Sequence, residues 1–375
     1  QRGREGPVYP GASGVATVSG AGSQWTNCGE LHVSYQGTGT LHIEAGGNVT
    51  NTYGYLGYWE GYTGVATVTG NGSTWTNSGA LNVGYGGSAT LDIEAGGMVS
   101  NTDGYLGYSS GSTGTATVTG AGSTWTCSGD LRVGLYGTGT LTVVNGGTVN
   151  AQTLWAAGSD LRGNGIINVK GLVSDLDMVF DAMHGTHQVS FGSGGTVNLT
   201  PDGTGSLGAG YRGTGSITVA DGVKIASTVG YLGYYSGSIG TATVTGAGST
   251  WTNSGELYVG YSGSGTLNVG AGGQVTNING YLGYSSGSTD VANVTGNGSK
   301  WTNSSNLHVG YSGGGTLNVE AGGLVSNADG YIGYSSGSTG TATVTGAGST
   351  WTSSGDLCVG LYGTGTLTVV NGGTV

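Results

Sequence analysis

The sequence predicts an all-β chain wound as a parallel β-solenoid of about 15 coils, each of roughly 25 residues and three short strands. Three observations lead there. Trp25, Trp75 and Trp125 stand 50 residues apart, as do Trp251, Trp301 and Trp351. Each 50-residue unit divides into two halves that share one pattern of alternating strands and Gly corners. The composition fits: 86 of 375 residues are Gly, only 3 are Pro, and charged residues make up 7%. Collagen is excluded because the glycines keep no three-residue period. The wealth of Val, Leu, Thr, Tyr and Trp argues against disorder and for strands.

The two halves are seen by setting "GYLGYYSGSIGTATVTGAGSTWTNSG", from Gly230, above "ELYVGYSGSGTLNVGAGGQVTNIN", from Glu256. Both run through an apolar-Gly-Tyr segment, a Gly-Ser corner, an alternating strand, a Gly corner, and then Trp or Val followed by Thr and Asn. In the strand from Val65 to Thr69, period-2 alternation sends Thr67 and Thr69 outward with Val65, and Ala66 and Val68 inward. One coil later Leu91 and Ile93 take the inward places. A coil with the small Ala66 carries the large Trp75, and a coil with Leu91 carries the smaller Val99. Stacked coils therefore exchange volume and keep one interior filled, which makes Trp25, Trp75, Trp125, Trp251, Trp301 and Trp351 core residues.

Stacking also predicts ladders. Asn27, Asn51, Asn77, Asn101, Asn253, Asn277, Asn303 and Asn327 follow the Trp or Val by two residues in successive coils, where their amides are expected to stack and satisfy corner backbone groups. Tyr35, Tyr58, Tyr85, Tyr108, Tyr211, Tyr234, Tyr261, Tyr284, Tyr311 and Tyr334 form a second column. At about 4.8 Å per coil their rings are expected to stack face over face, a structural role favoured over a platform for sugars.

Residues 102–149 reappear at 328–375 with four changes, a superperiod of 226. This suggests a first array over 1–153, a degenerate coil and irregular insert over 154–205, and a second array over 206–375. The insert, "VSDLDMVFDAMHGTHQVSFGSGGTVNLTPDG" from Val173, collects Asp175, Asp177, Asp181, His184 and His187. Asp177, Asp181, His184 and His187 are the candidate metal ligands. Against that reading, His-x-x-His on a strand points its rings to opposite faces, and no EF-hand or HExxH pattern is present. No catalytic residue and no cofactor are expected.

A formal net charge of −11 with eight scattered Lys and Arg gives no basic stripe for nucleic acid. No apolar run reaches the roughly 20 residues of a membrane-spanning helix, so no membrane insertion is expected. Cys28, Cys127 and Cys358 form no CxxC pair and suggest neither a zinc site nor a disulfide framework. Gln1 follows no Met or leader, and Val375 falls in mid-repeat, as in a processed product or a piece of a longer chain. A threonine face suited to ice is interrupted by His42, Asp92, Asn268 and Asn293. The N-x-[ST] matches at Asn48, Asn71, Asn198, Asn293, Asn297 and Asn303 are those that an Asn- and Thr-rich chain carries by chance.

Units such as "GYLGYYSGSIGTATVTGAGSTWTNSGELYVGYSGSGTLNVGAGGQVTN" resemble the glycine-rich repeats associated with autotransporter passengers and PEP-CTERM-sorted bacterial surface proteins, over nearly the whole chain except Asp175 to Pro201. The resemblance implies a secreted solenoid on a bacterial surface and no general catalytic site. The expected function is a structural rod of a filament, sheath or matrix, with self-assembly as the main interaction and surface glycans as a further partner. The alternative is an adhesin or glycan-binding stalk, and a polysaccharide lyase-type enzyme stands third. The N-terminal "QRGREGPVYPG" is expected to seat on a neighbouring copy's open coil.

Overall fold

The computed structural model describes residues 11–184 and 187–375. The expected docking segment at the N-terminus lies outside the described residues except for Gly11. The chain is an all-β parallel solenoid with about 25 residues per turn, and it divides into two compact units: residues 1–169 with 190–198, and residues 170–189 with 199–375.

Each full coil has a long strand, a tryptophan (or valine) strand and a short strand. In the second unit these are, for example, Ile239–Thr245, Thr250–Asn253 and Leu257–Val259. The long strands build a 7-stranded parallel ladder in the first unit, from Ser13–Ser19 to Leu161–Gly163, and an 8-stranded one in the second, from Met178–Phe180 to Thr364–Val370. Register runs one coil to the next without slippage: Leu41 faces Ala66, Ala66 faces Leu91, and Leu91 faces Ala116. Parallel pairing requires a connection that returns to the same edge, and here the other two strands of each coil supply it.

The expected volume exchange is present. Ala66, Val68, Trp75, Leu91 and Ile93 are fully buried, and Trp75 stands in register with Val49 on one side and Val99 on the other. Trp125, Trp251, Trp301 and Trp351 are buried likewise. Trp25 departs from the expectation at 36% exposed, because it belongs to the first described coil and has a described coil, through Val49, on one side only. A third partner makes room for the indole: the Gly that opens the preceding short strand. A Cβ on Gly280 would lie 2.9 Å from a Trp301 ring carbon, and one on Gly230 the same distance from Trp251.

The asparagine column faces inward and its amides bond from coil to coil as expected, but the principal donor to its oxygens is the indole N–H rather than a corner backbone group. Asn51, Asn77, Asn101, Asn253, Asn277, Asn303 and Asn327 are all buried. The indole N–H of Trp75 donates to Asn51 Oδ1 of the preceding coil at 2.7 Å, and the Asn51 amide donates to Asn77 Oδ1 at 2.6 Å. Trp301, Asn277 and Asn303 repeat the triad at 2.8 and 2.6 Å. A buried indole N–H left without an acceptor costs about 1–3 kcal/mol, so the Trp dictates the Asn. Asn27 serves the corner backbone, its amide donating to Glu30 O at 2.8 Å and its Oδ1 accepting the Gly29 N–H at 3.2 Å, and the Asn77 and Asn303 amides donate to Ser100 O and Ser326 O at 3.5 and 3.4 Å.

The stretch read as an irregular insert contains the strands Met178–Phe180, Gln188–Phe191 and Gly195–Leu199. Met178 and Phe180 face Ile217 and Val219 as the first rung of the second unit's long ladder, and in the degenerate coil before it Leu161 and Gly163 face Leu141 and Val143 as the last rung of the first unit's ladder. Met178 and Phe180 in the inward places hide the coil from a pattern built on Ala and Val.

Replacing Trp301 with Ala is expected to cost about 3–5 kcal/mol through the cavity it leaves. Trp301→Phe is expected to cost less, on the order of 1–3 kcal/mol, chiefly by stranding Asn277 Oδ1. Urea unfolding of the two variants beside the parent chain checks both values and their order.

Candidate functional site

With the interior closed, chemistry can lie only on the outward positions, and the most ordered of these are aromatic. In the second unit Tyr234, Tyr261, Tyr284, Tyr311 and Tyr334 stack with centroids 5.0, 5.1, 5.2 and 5.2 Å apart. In the first unit Tyr35, Tyr58, Tyr85 and Tyr108 do the same at 5.1, 5.0 and 4.9 Å. The tilted Tyr211–Tyr234 pair, at 5.8 Å and 31°, extends the second unit's column.

A second column, not anticipated from the sequence, comes from the middle residue of each short strand. Tyr231, Tyr258, Tyr281, His308 and Tyr331 stack at 5.3, 5.1, 5.0 and 4.9 Å. The two columns meet edge to face, as for Tyr258 and Tyr261 at 5.2 Å and 89°. In the first unit this column is mixed: His32 stacks on Tyr55 at 5.0 Å, and Arg132 lies over the Trp155 ring at 4.5 Å while donating to Asp130 at 3.1 Å. The stacking has a chemical consequence. Rings inside a column cover one another's faces, so between its end rings a column offers edges and hydroxyls rather than a π-face on which a sugar could stack.

The carboxylates and imidazoles of residues 173–203 do not converge. Asp175 Oδ1 accepts the backbone N–H groups of Arg212 and Gly213 at 3.0 and 2.8 Å, and Asp177 accepts the Ser216 hydroxyl at 2.6 Å. Asp181 accepts from His184 Nδ1 at 2.7 Å and from its backbone N–H, and these bonds hold its carboxyl below the usual range. His187 packs edge-on against Phe180 at 4.5 Å, and burial lowers its pKa. Among the described residues no group of three or more His, Cys, Asp or Glu is placed to hold a metal ion.

The cysteines are free thiols. Cys127 occupies the asparagine column, where it accepts the Asn101 amide at 3.2 Å, and burial pushes its thiol up to about 12. It is thereby an inert core residue.

Two buried ionisable groups escaped the sequence reading. Asp290 takes a strand position that is Gly265 and Gly315 in the flanking coils. Its side chain is fully buried; Oδ1 accepts the Gly265 N–H at 2.6 Å, whereas Oδ2 has no hydrogen-bond partner. Burial raises its pKa to about 7. His308, sandwiched between Tyr281 and Tyr331, is held neutral by burial, which lowers its pKa to about 4. Both interrupt an otherwise regular column, and that irregularity was the available signal.

Two concavities of the described residues illustrate what the surface offers. One, of about 410 Å³, lies at the first described coil and is lined by residues such as Leu31, Val33 and Leu41. The other, of about 340 Å³, is a shallow groove of Ser, Gly and Thr between the corners at Ser286–Thr289, Ser312–Gly314 and Ser336–Thr339. Neither gathers catalytic groups.

No known family model matches the sequence, and no curated protein matches it. Among solved structures, the chain is similar to the TibC-catalysed hyper-glycosylated TibA55–350 fragment, with 98% of each chain covered, 18% identity and a TM-score of 0.29.

Asp290 sets an expected pH dependence. Its native pKa lies above the unfolded value of 3.8, so the stability of the folded carboxylic acid is fully present below about pH 4 and is lost as pH rises through about 7. His308 works in the opposite sense, losing stability as pH falls from 6.5 towards 4. Comparing the parent chain with Asp290→Gly isolates the carboxyl, since His308 is common to both. The variant's gain in urea midpoint is expected to grow between pH 4 and pH 8, by an amount equivalent to on the order of 4 kcal/mol. A gain that stays constant with pH would overturn the assignment.

Proposed function

We propose that this chain is a structural, non-enzymatic solenoid of a bacterial surface, a spacer in a filament, sheath or matrix. The observation that carries this reading is the repetition of one closed interior, Trp with Asn, Gly and Ala, from coil to coil, beneath outward positions that are nearly all Thr, Ser, Asn and Tyr. A ligand pocket needs a recess lined by converging groups, and the groove at Ser286–Thr289 is shallow and built of small hydroxylic residues. The resemblance of the repeat units to those of secreted bacterial surface proteins supports the placement outside the cell. Self-association of copies is the interaction that such a spacer requires.

The repeat arithmetic supplies the test. Removing residues 252–301 in frame joins Trp251 to Thr302 and deletes two coils while keeping the alternation of Trp and Val. The shortened chain is expected to fold, to remain accessible to protease added outside intact bacteria, and to shorten the spacing it maintains by about 10 Å, two rungs of roughly 4.8 Å. A spacing unchanged by the deletion, or a chain protected inside the cell, would overturn the proposal.

A further inference from the structure

Trp59 falls outside the 50-residue tryptophan register and outside the core. It sits in the corner between the short strand Gly54–Leu56 and the long strand Thr63–Thr69, in the sequence Tyr58-Trp59-Glu60-Gly61-Tyr62. The equivalent corners read Tyr108-Ser109-Ser110-Gly111-Ser112 and Tyr284-Ser285-Ser286-Gly287-Ser288, whereas Tyr234-Tyr235-Ser236-Gly237-Ser238 has an aromatic at the Trp59 place that packs edge-on against Tyr211 and Tyr234. The fold is therefore built equally well with serine in place of Trp59 and Tyr62, and packing gives no reason for either aromatic.

The geometry around Trp59 differs from that of the ring columns. It is 48% exposed. Its ring contacts are edge-on, Tyr58 at 5.6 Å and 77° and Tyr35 at 6.3 Å and 87°, so no ring lies against its face. Among the described residues none accepts a hydrogen bond from its indole N–H. The corner is nevertheless held firmly: the Tyr62 N–H donates to Trp59 O at 3.3 Å and the Ser88 N–H to Tyr62 O at 2.9 Å, and a Cβ on Gly87 would collide with both Trp59 O and Tyr62 O. An open indole on a rigid corner is preorganised for a flat partner, and a partner that binds it need not order the loop.

Its surroundings select the partner. Glu60 follows it on the exposed tip, and Tyr35 and Tyr58, the rings it meets edge-on, are themselves met edge-on by His32 at 5.1 and 4.8 Å. Carboxylates and phenols accept and donate hydrogen bonds around an apolar face, an arrangement that suits a ring with hydroxyls on its rim and C–H groups on its face. Phosphate and other anions are disfavoured by Glu60, and lipid chains by the same charge at the rim.

We propose that Trp59 is the stacking residue of a saccharide-binding site for one pyranose unit of an uncharged polysaccharide, with Glu60, Tyr62 and Tyr35 at its rim. This activity is additional to the spacer role and does not depend on it. The test titrates the full chain with uncharged oligosaccharides of glucose, galactose, mannose and N-acetylglucosamine, each read by calorimetry and by tryptophan emission. At least one is expected to bind saturably and to alter the emission. Trp59→Ser, which writes the serine of the sister corner into this one, is expected to keep the parent's urea midpoint and to weaken binding by at least about tenfold, with Trp59→Phe falling between. Binding unchanged in Trp59→Ser, or no saturable binding across the panel, would overturn the proposal. So would a Trp59-dependent dimer in sedimentation without sugar binding, since a second copy would then be the occupant.

Discussion

Everything else in the structure depends on placing an indole inside a coil of about 25 residues. A tryptophan is too large for every rung of so narrow an interior, and its N–H needs an acceptor where no water reaches. The chain meets both demands by alternation. Trp75 and Ala66 share one coil, and Leu91 and Val99 share the next. This is why the sequence period is 50 residues although the structural period is half of that. The opening Gly of a short strand has a related origin, since it leaves the space that the next coil's indole fills, whereas most other glycines hold the positive-φ corners.

The hydrogen bonds make the two halves of the period chemically unequal. In the valine coils, Asn51, Asn101, Asn277 and Asn327 each accept an indole N–H from the following coil. In the tryptophan coils, the residue at the same position accepts from that asparagine, as Asn77, Cys127, Asn303 and Ser353 all do, and takes no indole; Asn77 and Asn303 add only long amide bonds to Ser100 O and Ser326 O at 3.5 and 3.4 Å. A single acceptor lone pair suffices there, so Cys and Ser replace Asn freely. Where a tryptophan coil follows, the other position must accept and donate at once, and Ser227, which replaces Asn there, is a hydroxyl that does both: it accepts from Trp251 at 3.0 Å and donates to Asn253 at 2.6 Å. Cys127, which looked like an isolated thiol in the sequence, is thus one of a class of permitted acceptors.

The coil, the inward pair and the buried tryptophans were legible because they follow from period-2 alternation and volume, which a sequence displays directly. The partners of the tryptophans were not. Asn51 and Trp75 lie in different coils, and nothing in the spacing says whether an amide points into the interior or along a corner. The second ring column escaped for another reason: in the first unit His32, Tyr55, Asn82, Tyr105 and Arg132 share its place in the short strands, so the tyrosines of the second unit, Tyr231, Tyr258, Tyr281 and Tyr331, do not extend as one residue type along the chain. The segment around Met178 and Phe180 reads as a break because it keeps the fold's geometry with different residues. Asp181 and His184 were legible as neighbours, and the structure makes them a local pair in an exposed turn.

A repeat fold of this kind separates stability from recognition. Interior positions are shared among coils, so each substitution there must satisfy the coil above and the coil below, and the sequence stays uniform. Outward corner positions answer to no neighbour in the same way, and the corner that holds Trp59 is built elsewhere with serine. Asp290 illustrates the opposite case: an interior departure that leaves one carboxylate oxygen without a partner and shifts its ionisation towards neutrality. Departures from the repeat therefore carry different meanings according to the side of the sheet on which they occur. Inside they are a cost to the fold, and outside they are where this chain can acquire a specific contact without disturbing the array that presents it.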